Sequence, residues 1–364
     1  MKKYYVIAAL TAMFLVACNK ETTLSNVPEA EQEIAIRTLG IDTKSAINST
    51  AFPEGYDMLV SAYKNVGAHH GEDVSADYFE GIQFAKNETT WKSTKGPKYY
   101  PIDGTLDFLA VASAGIKNAS NGIAPACVWG ESSNVAKKVV LTVPDNSAKF
   151  DDLLFASANA QGASASGTAM TFSHAMSSVV FVASSNVAYN AESNVGITIN
   201  SITVDDAKYS GTLTVSNPAA GGSTGDLSAA WSDLGSAKDH VSARVWAAAN
   251  TGVKTDEPAL SGLHLTTTPA PITGEGAKPF GEAYVILPEQ AAVPFTINYT
   301  VHNGKNAAGT AQDNTVQYQY TPASGTWQMG KKYVYNITIT LTEIQIVPTV
   351  VDWANQTPVD VQLP

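Results

Sequence analysis

The segment Tyr333-Val334-Tyr335-Asn336-Ile337-Thr338-Ile339-Thr340-Leu341 decides the fold. Its odd positions carry Tyr, Tyr, Ile, Ile and Leu, and its even positions Val, Asn, Thr and Thr. A period of two sends successive side chains to opposite faces of a strand, so one face belongs to a core and the other largely to solvent. Ile197-Thr198-Ile199-Asn200-Ser201-Ile202-Thr203-Val204 repeats the pattern with β-branched and small polar residues. Working outward, β-like segments recur at residues 34–36, 39–41, 58–63, 78–85, 106–113, 139–143, 153–156 and 179–183. Others follow at 213–215, 241–248, 283–287, 295–301 and 316–320. Turn chemistry separates them: Pro53-Glu54-Gly55, Asp103-Gly104, Pro144-Asp145-Asn146 and the Gly/Ser/Ala stretch 161–168. Many short strands with turn signals between them predict an all-β chain, a sandwich or barrel. A single short helix is expected at 226–234, with Leu227, Ala230, Trp231 and Leu234 on one side.

Composition agrees. The chain has 364 residues, 44% hydrophobic and 15% charged, too few charges for a coiled coil or long-helix bundle. Its length predicts two domains, each large enough to bury a core without disulfides or metal. Polar interruptions at Ser184-Ser185-Asn186 and 190–194 place the boundary near 190, giving domains at 38–190 and 191–364. The formal charge of -11 repels phosphate backbones and argues against a nucleic-acid partner.

The N-terminus reads as an export signal. Lys2 and Lys3 precede a short apolar run, and Leu15-Val16-Ala17-Cys18 closes it with small residues. The run is too short for a permanent membrane helix. The tetrapeptide resembles a bacterial lipobox, so residues 1–17 are expected to be a signal peptide and Cys18 the lipidated first residue of the mature chain. Acyl chains there would hold an otherwise soluble protein to a membrane. Loss of Lys2 and Lys3 leaves 20 basic and 33 acidic groups, a charge of -13. The polar residues that follow form a tether. Cys127 then has no partner for an intramolecular disulfide, and its setting between Ala126 and Val128 predicts a buried structural thiol.

No catalytic or cofactor motif emerges. Adjacent residues in a strand point to opposite faces, so His69-His70 are not expected to converge on one metal without a turn. Asp151-Asp152 read as turn caps rather than paired acids. Gly221-Gly222 lie in a Ser/Ala-rich loop without a suitable helix start. Trp91, Tyr99 and Tyr100 flank Pro97 and could stack on sugars, which keeps a membrane-anchored, glycan-binding adhesin open as an alternative. Arginine occurs only at Arg37 and Arg244. Arg37 sits where the tether meets the first β-like segment; if exposed it is a natural trypsin-like cleavage point, at the Arg37-Thr38 bond, although by itself it reads equally as an ordinary strand-edge cation.

These features occur together with Phe172-Ser173-His174-Ala175-Met176-Ser177 after Asp151-Asp152-Leu153-Leu154-Phe155-Ala156, and with the Ser210-Gly211-Thr212-Leu213 turn. Val285-Ile286-Leu287-Pro288, Trp327-Gln328-Met329-Gly330-Lys331-Lys332-Tyr333 and Val351-Asp352-Trp353 complete the series. The whole resembles the fimbrillin (Mfa-like) family of Bacteroidales lipoprotein pilins. The resemblance implies two tandem transthyretin-like or immunoglobulin-like β-sandwiches, no enzyme activity and no cofactor. It implies a type V pilus subunit carried to the outer membrane as a lipoprotein and then built into a surface fimbria. An Arg-specific protease would remove residues 18–37, and the C-terminal strands of another subunit would fill the vacated groove. In this sequence the donor would lie in 344–363, with Ile344, Ile346, Val350, Val351, Val359, Val361 and Leu363 as its apolar residues. Partners are thus other pilin subunits, the protease and the membrane, with host or bacterial surface ligands as further candidates.

Overall fold

A computed structural model describes residues 32–41, 52–65, 75–102, 104–132, 136–146, 151–217, 226–241, 263–271 and 284–352. The strands of the first half are β1 (Ala35–Ile41), β2 (Asp57–Asn65), β3 (Ser75–Asn87), β4 (Thr90–Ser93), β5 (Thr105–Ser113), β6 (Ala126–Ser132), β7 (Ala136–Val143), β8 (Leu154–Gln161), β9 (Thr168–His174) and β10 (Ser177–Ser185). They continue with β11 (Val195–Ala207), β12 (Gly211–Asn217), β13 (Ser228–Ser232), β14 (Lys238–Val241), β15 (Leu263–His264), β16 (Ala270–Pro271) and β17 (Tyr284–Leu287). The last are β18 (Gln290–Ala291), β19 (Phe295–Lys305), β20 (Ala311–Tyr320), β21 (Thr326–Trp327), β22 (Lys331–Ile339) and β23 (Ile344–Asp352). One four-residue helix, α1 (Ala114–Lys117), interrupts them, its first turn capped by the Ser113 hydroxyl, which accepts from the Ile116 amide. The all-β expectation holds.

Among the described residues, three apolar clusters organise the structure. The first fills a closed ring of strands in the order β1-β4-β3-β2-β5-β8-β9, in which β1 also pairs with β9. Ile34, Ile36, Met58, Phe84, Trp91, Phe108, Met170 and Phe172 point into it. The second lies between the outer wall of that ring and the sheet β13-β12-β7-β6, where Tyr63, Leu109, Val111 and Phe155 meet Val139, Leu141, Leu213 and Val215. Strand β5 serves both clusters. Leu106, Phe108, Ala110 and Ala112 face inward and Leu109 and Val111 outward, which is why its sequence is an apolar run rather than an alternation.

The third cluster lies between two further sheets, β16-β10-β22-β23 and β14-β11-β19-β20. Phe181, Phe295 and Tyr335 pack there with ring centroids 4.9–5.9 Å apart. Buried Trp327 donates its Nε1–H to the Tyr335 hydroxyl at 3.1 Å, the polar partner that a buried indole needs. The deciding segment is β22, with Tyr335, Ile337 and Ile339 buried and Asn336 and Thr338 half-buried. It runs parallel to β10 and antiparallel to β23.

One expectation differs from the structure. Residues 228–232 form a strand, not a helix. β13 pairs with β12, so Ala229 and Trp231 turn to the second cluster while Ser228, Ala230 and Ser232 are exposed. The Trp231 indole donates to the Ala175 carbonyl at 2.6 Å. The first region closes into a ring with a sheet on its flank, because β1 bridges β4 and β9. Along the chain the clusters interleave: β10, before residue 190, packs in the third cluster, and β12 and β13, after it, pack in the second. Polar loops mark where strands end, whereas the course of the chain between cores depends on pairings of residues distant in sequence.

Candidate assembly site

Among the described residues, the segment singled out by both chemistry and position is β1. Ile34, just before it, and Ile36 within it point into the ring, each with no exposed surface, while Arg37 and Leu39 lie on the outside. Leu39 is 58% exposed. On one side β1 pairs antiparallel with β4 at Ala35↔Lys92 and Ile36↔Trp91. Upstream the Ile34 amide donates to the Lys98 carbonyl at 2.6 Å, and the Tyr100 amide to the Gln32 carbonyl at 3.0 Å. Lys92 and Glu33 form a half-exposed ion pair at 2.5 Å, a contact that solvent screens. On the other side β1 runs parallel to β9 from Ile36↔Thr168 to Ile41↔Phe172, with a break in register between Thr38 and Gly40.

Gly167 sets how closely β9 approaches. Its φ is +80°, and a Cβ there would meet the Ala35 carbonyl oxygen at 2.8 Å, so only glycine fits. Next to it the Tyr100 and Thr168 hydroxyls share a short hydrogen bond inside the ring. Burial raises the Tyr100 phenol above its usual range.

The pairing with β4 ends at Ile36. The Arg37-Thr38 bond therefore lies one residue beyond the doubly paired part of β1, on an exposed arginine, directly before the break in register. Cys18 lies outside the described residues, as do His69, His70, Gly221 and Gly222.

The other assembly element expected from sequence is at the C-terminal end. β23 is an edge strand whose Ile344 and Ile346 pack half-buried on the third cluster and whose Val351 is 6% exposed. Val350 is half-buried. Pro348 lies opposite Tyr335 in the ladder with β22, and an edge tolerates a residue without an amide hydrogen. Val359, Val361 and Leu363 lie outside the described residues.

The remaining candidates resolve into structure. Trp91 is 4% and Tyr100 6% exposed, and the Trp91 indole donates to the Tyr56 carbonyl at 3.4 Å. Of the expected sugar-stacking trio, only Tyr99 reaches the surface. Asp151 is buried and accepts from the Tyr56 hydroxyl at 2.7 Å and the Ile123 amide at 2.9 Å. Burial pushes its carboxyl up to about 6. Asp152 pairs with buried His174, so the two acids tie loops to the ring. Cys127 is half-buried, and burial pushes its thiol up to about 12, which keeps it protonated and unreactive.

A polar relay on the third region was not foreseen. The Thr198 hydroxyl lies 2.8 Å from His302 Nε2 and 2.7 Å from His264 Nδ1, and His302 Nδ1 lies 2.8 Å from Asp313. Tyr189 stacks on His264 with centroids 3.7 Å apart. Each residue follows from cross-strand neighbours on β11, β15, β19 and β20, so the signal existed only in the pairing. Among the described residues no group of three or more His, Cys, Asp or Glu side chains could hold a metal ion. No helix among them is long and apolar enough to cross a membrane.

Among solved structures, a fimbrial protein from Bacteroides vulgatus matches with 12% identity and a TM-score of 0.55, over 88% of this chain and 99% of that one. A proposed cell adhesion protein from Bacteroides ovatus matches with 14% identity and a TM-score of 0.45, over 90% and 100% of the two chains. A fimbrial assembly protein from Parabacteroides distasonis gives 11% identity and a TM-score of 0.35, over 88% and 95%. At such identities the first establishes likeness of fold, and the other two scores add nothing to it. No curated protein matches the sequence. The profile of the fimbrillin-like family matches residues 43–353, beginning just after β1 and spanning all three clusters. The chain therefore belongs to the fimbrillin-like family, a family of fimbrial structural proteins rather than enzymes.

Proposed function

We propose that the chain is the precursor of a structural fimbria subunit. It is exported as a lipoprotein acylated at Cys18, cut between Arg37 and Thr38, and polymerised by β-strand exchange on the cell surface, where the fimbria supports adhesion. The observation that carries this reading is the start of β1, where two fully buried isoleucines close the ring immediately before an exposed arginine. Cutting there separates Ile34 and Ile36 from the body of the protein. Their departure leaves an apolar groove between β4 and β9 lined by unpaired backbone groups, a surface that favours capture of another strand.

A replacement must present apolar side chains at alternate positions, as Ile34 and Ile36 do. Val359, Val361 and Leu363 have that spacing, as do Ile344 and Ile346. Residues 344–363 of a neighbouring subunit are the donor in this reading. Release of β23 from β22 exposes buried Thr349 and Val351, so the outer piece, 358–363, enters the groove first. The lipid and the segment 18–37 stay behind at the outer membrane.

The test is incubation of the purified precursor with an Arg-specific protease, followed by electrophoresis without boiling. The wild type should give a ladder of SDS-resistant species, while Arg37→Ala and a chain truncated after Trp353 should remain monomeric. A ladder of equal intensity from Arg37→Ala would refute cleavage-driven exchange.

A further inference from the structure

At one end of the second cluster, where barrel wall and flanking sheet meet, the apolar layers give way to polar side chains. Lys137 is 2% exposed, Asn217 1%, Asp107 2% and Tyr63 0%. Lys137 and Asn217 are directly opposite each other in the β7–β12 ladder. Both lie on the inward face, two residues from Val139 and Val215 respectively, which belong to the cluster. Opposed residues in an antiparallel pair have Cβ atoms roughly 5 Å apart. From the facing wall come Tyr63 and Asp107, themselves opposed in the β2–β5 ladder. The Lys137 Nζ lies 4.7 Å from the centroid of the Tyr63 ring, which brings the amine to the wall that carries Asp107.

The amide of Asn217 is paired with that of Asn159. Its Nδ2 donates to Asn159 Oδ1 at 2.8 Å, and its Oδ1 accepts from Asn159 Nδ2 at 3.3 Å. The second contact polarises the carbonyl toward attack at carbon. Asp107 is fixed by the Ala160 amide, which donates to its Oδ1 at 2.6 Å. Ala160 itself takes a left-handed φ of 52°, an uncommon conformation for alanine. An amine and a carboxamide opposed on one sheet, and a carboxylate on the facing wall, are thus all buried at one end of the cluster, in a chain whose proposed work is to build a fibre.

We propose that Lys137 and Asn217 form an intramolecular isopeptide bond, with Asp107 as the proton carrier. The inference holds for the folded chain whether or not strand exchange occurs. Asp107 takes a proton from the Lys137 ammonium, and the neutral Nζ attacks Cγ of Asn217. The Nζ–Cγ bond forms and the Cγ–Nδ2 bond breaks. Nδ2 departs as ammonium, carrying one proton lost by the attacking nitrogen and the one held by Asp107. No oxidant, metal or external reagent enters the balance.

The bond is read by intact-mass spectrometry of the purified full chain and by proteolytic peptide mapping. The expected result is a mass lower by one ammonia and a branched peptide joining Lys137 to Asn217, with no cleavage after Lys137 by trypsin. Asn217→Ala and Asp107→Asn should keep the unmodified mass, and Asn217→Asp should give the same branched peptide by loss of water. An unmodified wild-type mass with Lys137 and Asn217 on separate peptides overturns the proposal. So does an ammonia loss that persists in Asn217→Ala.

Discussion

Replacing Ile34 and Ile36 together by alanine should open the ring without any protease. Both side chains are fully buried in the first cluster. Truncating one buried isoleucine to alanine costs about 2–5 kcal/mol, the transfer loss plus the cavity left behind. The two positions are next but one in the chain and share one core, so their effects couple and the sum is not assured. A conservative combined figure is about 4 kcal/mol, or about a thousandfold in the equilibrium for local opening. Global unfolding is the wrong assay, since a chain with several cores need not unfold in one step. Amide hydrogen exchange resolves the effect locally. Peptides covering β4 and β9, which flank β1, should lose protection by about that factor. Peptides covering β22 in the third cluster should not change, and Arg37→Ala, a surface substitution, should alter neither region. If β4 and β9 keep wild-type protection in the double variant, β1 does not hold the ring closed and cleavage after Arg37 would open no groove.

Two further outcomes test the buried groups. The Asp151 carboxyl is raised from 3.8 to about 6 by burial, so the fold favours its protonated form. That stabilisation is fully present below the unfolded value and is lost as pH rises through about 6. The stability of wild type relative to Asp151→Asn should therefore increase by about 2.4 kcal/mol between about pH 7 and pH 4, measured by urea denaturation at each pH. A difference that does not change with pH removes the assignment. Cys127, pushed up to about 12, should react with a thiol reagent about a thousandfold more slowly in the folded chain than in urea. Equal rates would place the thiol in water.

Much of this architecture was legible because burial on one face writes itself into local sequence. Tyr335, Ile337 and Ile339 mark β22, and the unbroken run from Leu106 marks a strand buried on both faces. Arg37 stood out through its rarity, and β1 does place it at the surface. Pairing between distant strands was not legible. Trp231 sits at a spacing compatible with either a helix or a strand, and only β12 beside it decides the matter. Trp91 and Tyr100 resembled a surface platform because nothing nearby in sequence announces the ring that buries them. Lys137 lies between Ala136 and Lys138. Its parity with Val139, Leu141 and Val143 was the available sign that it turns inward.

The course of the chain between cores also bears on mechanics. From the ring it enters the third cluster with β10 and β11, returns to the second with β12 and β13, and goes back to the third sheet pair with β14. A pull applied near Thr38 and resisted near Asp352 therefore meets a laced body rather than two beads on a string. Neither core can be drawn out while the other stays relaxed, because the same polypeptide threads both more than once. Strand β10, beside β22 and parallel to it over eight residue pairs, would carry such tension as sliding between neighbours, where many hydrogen bonds must yield together rather than one after another.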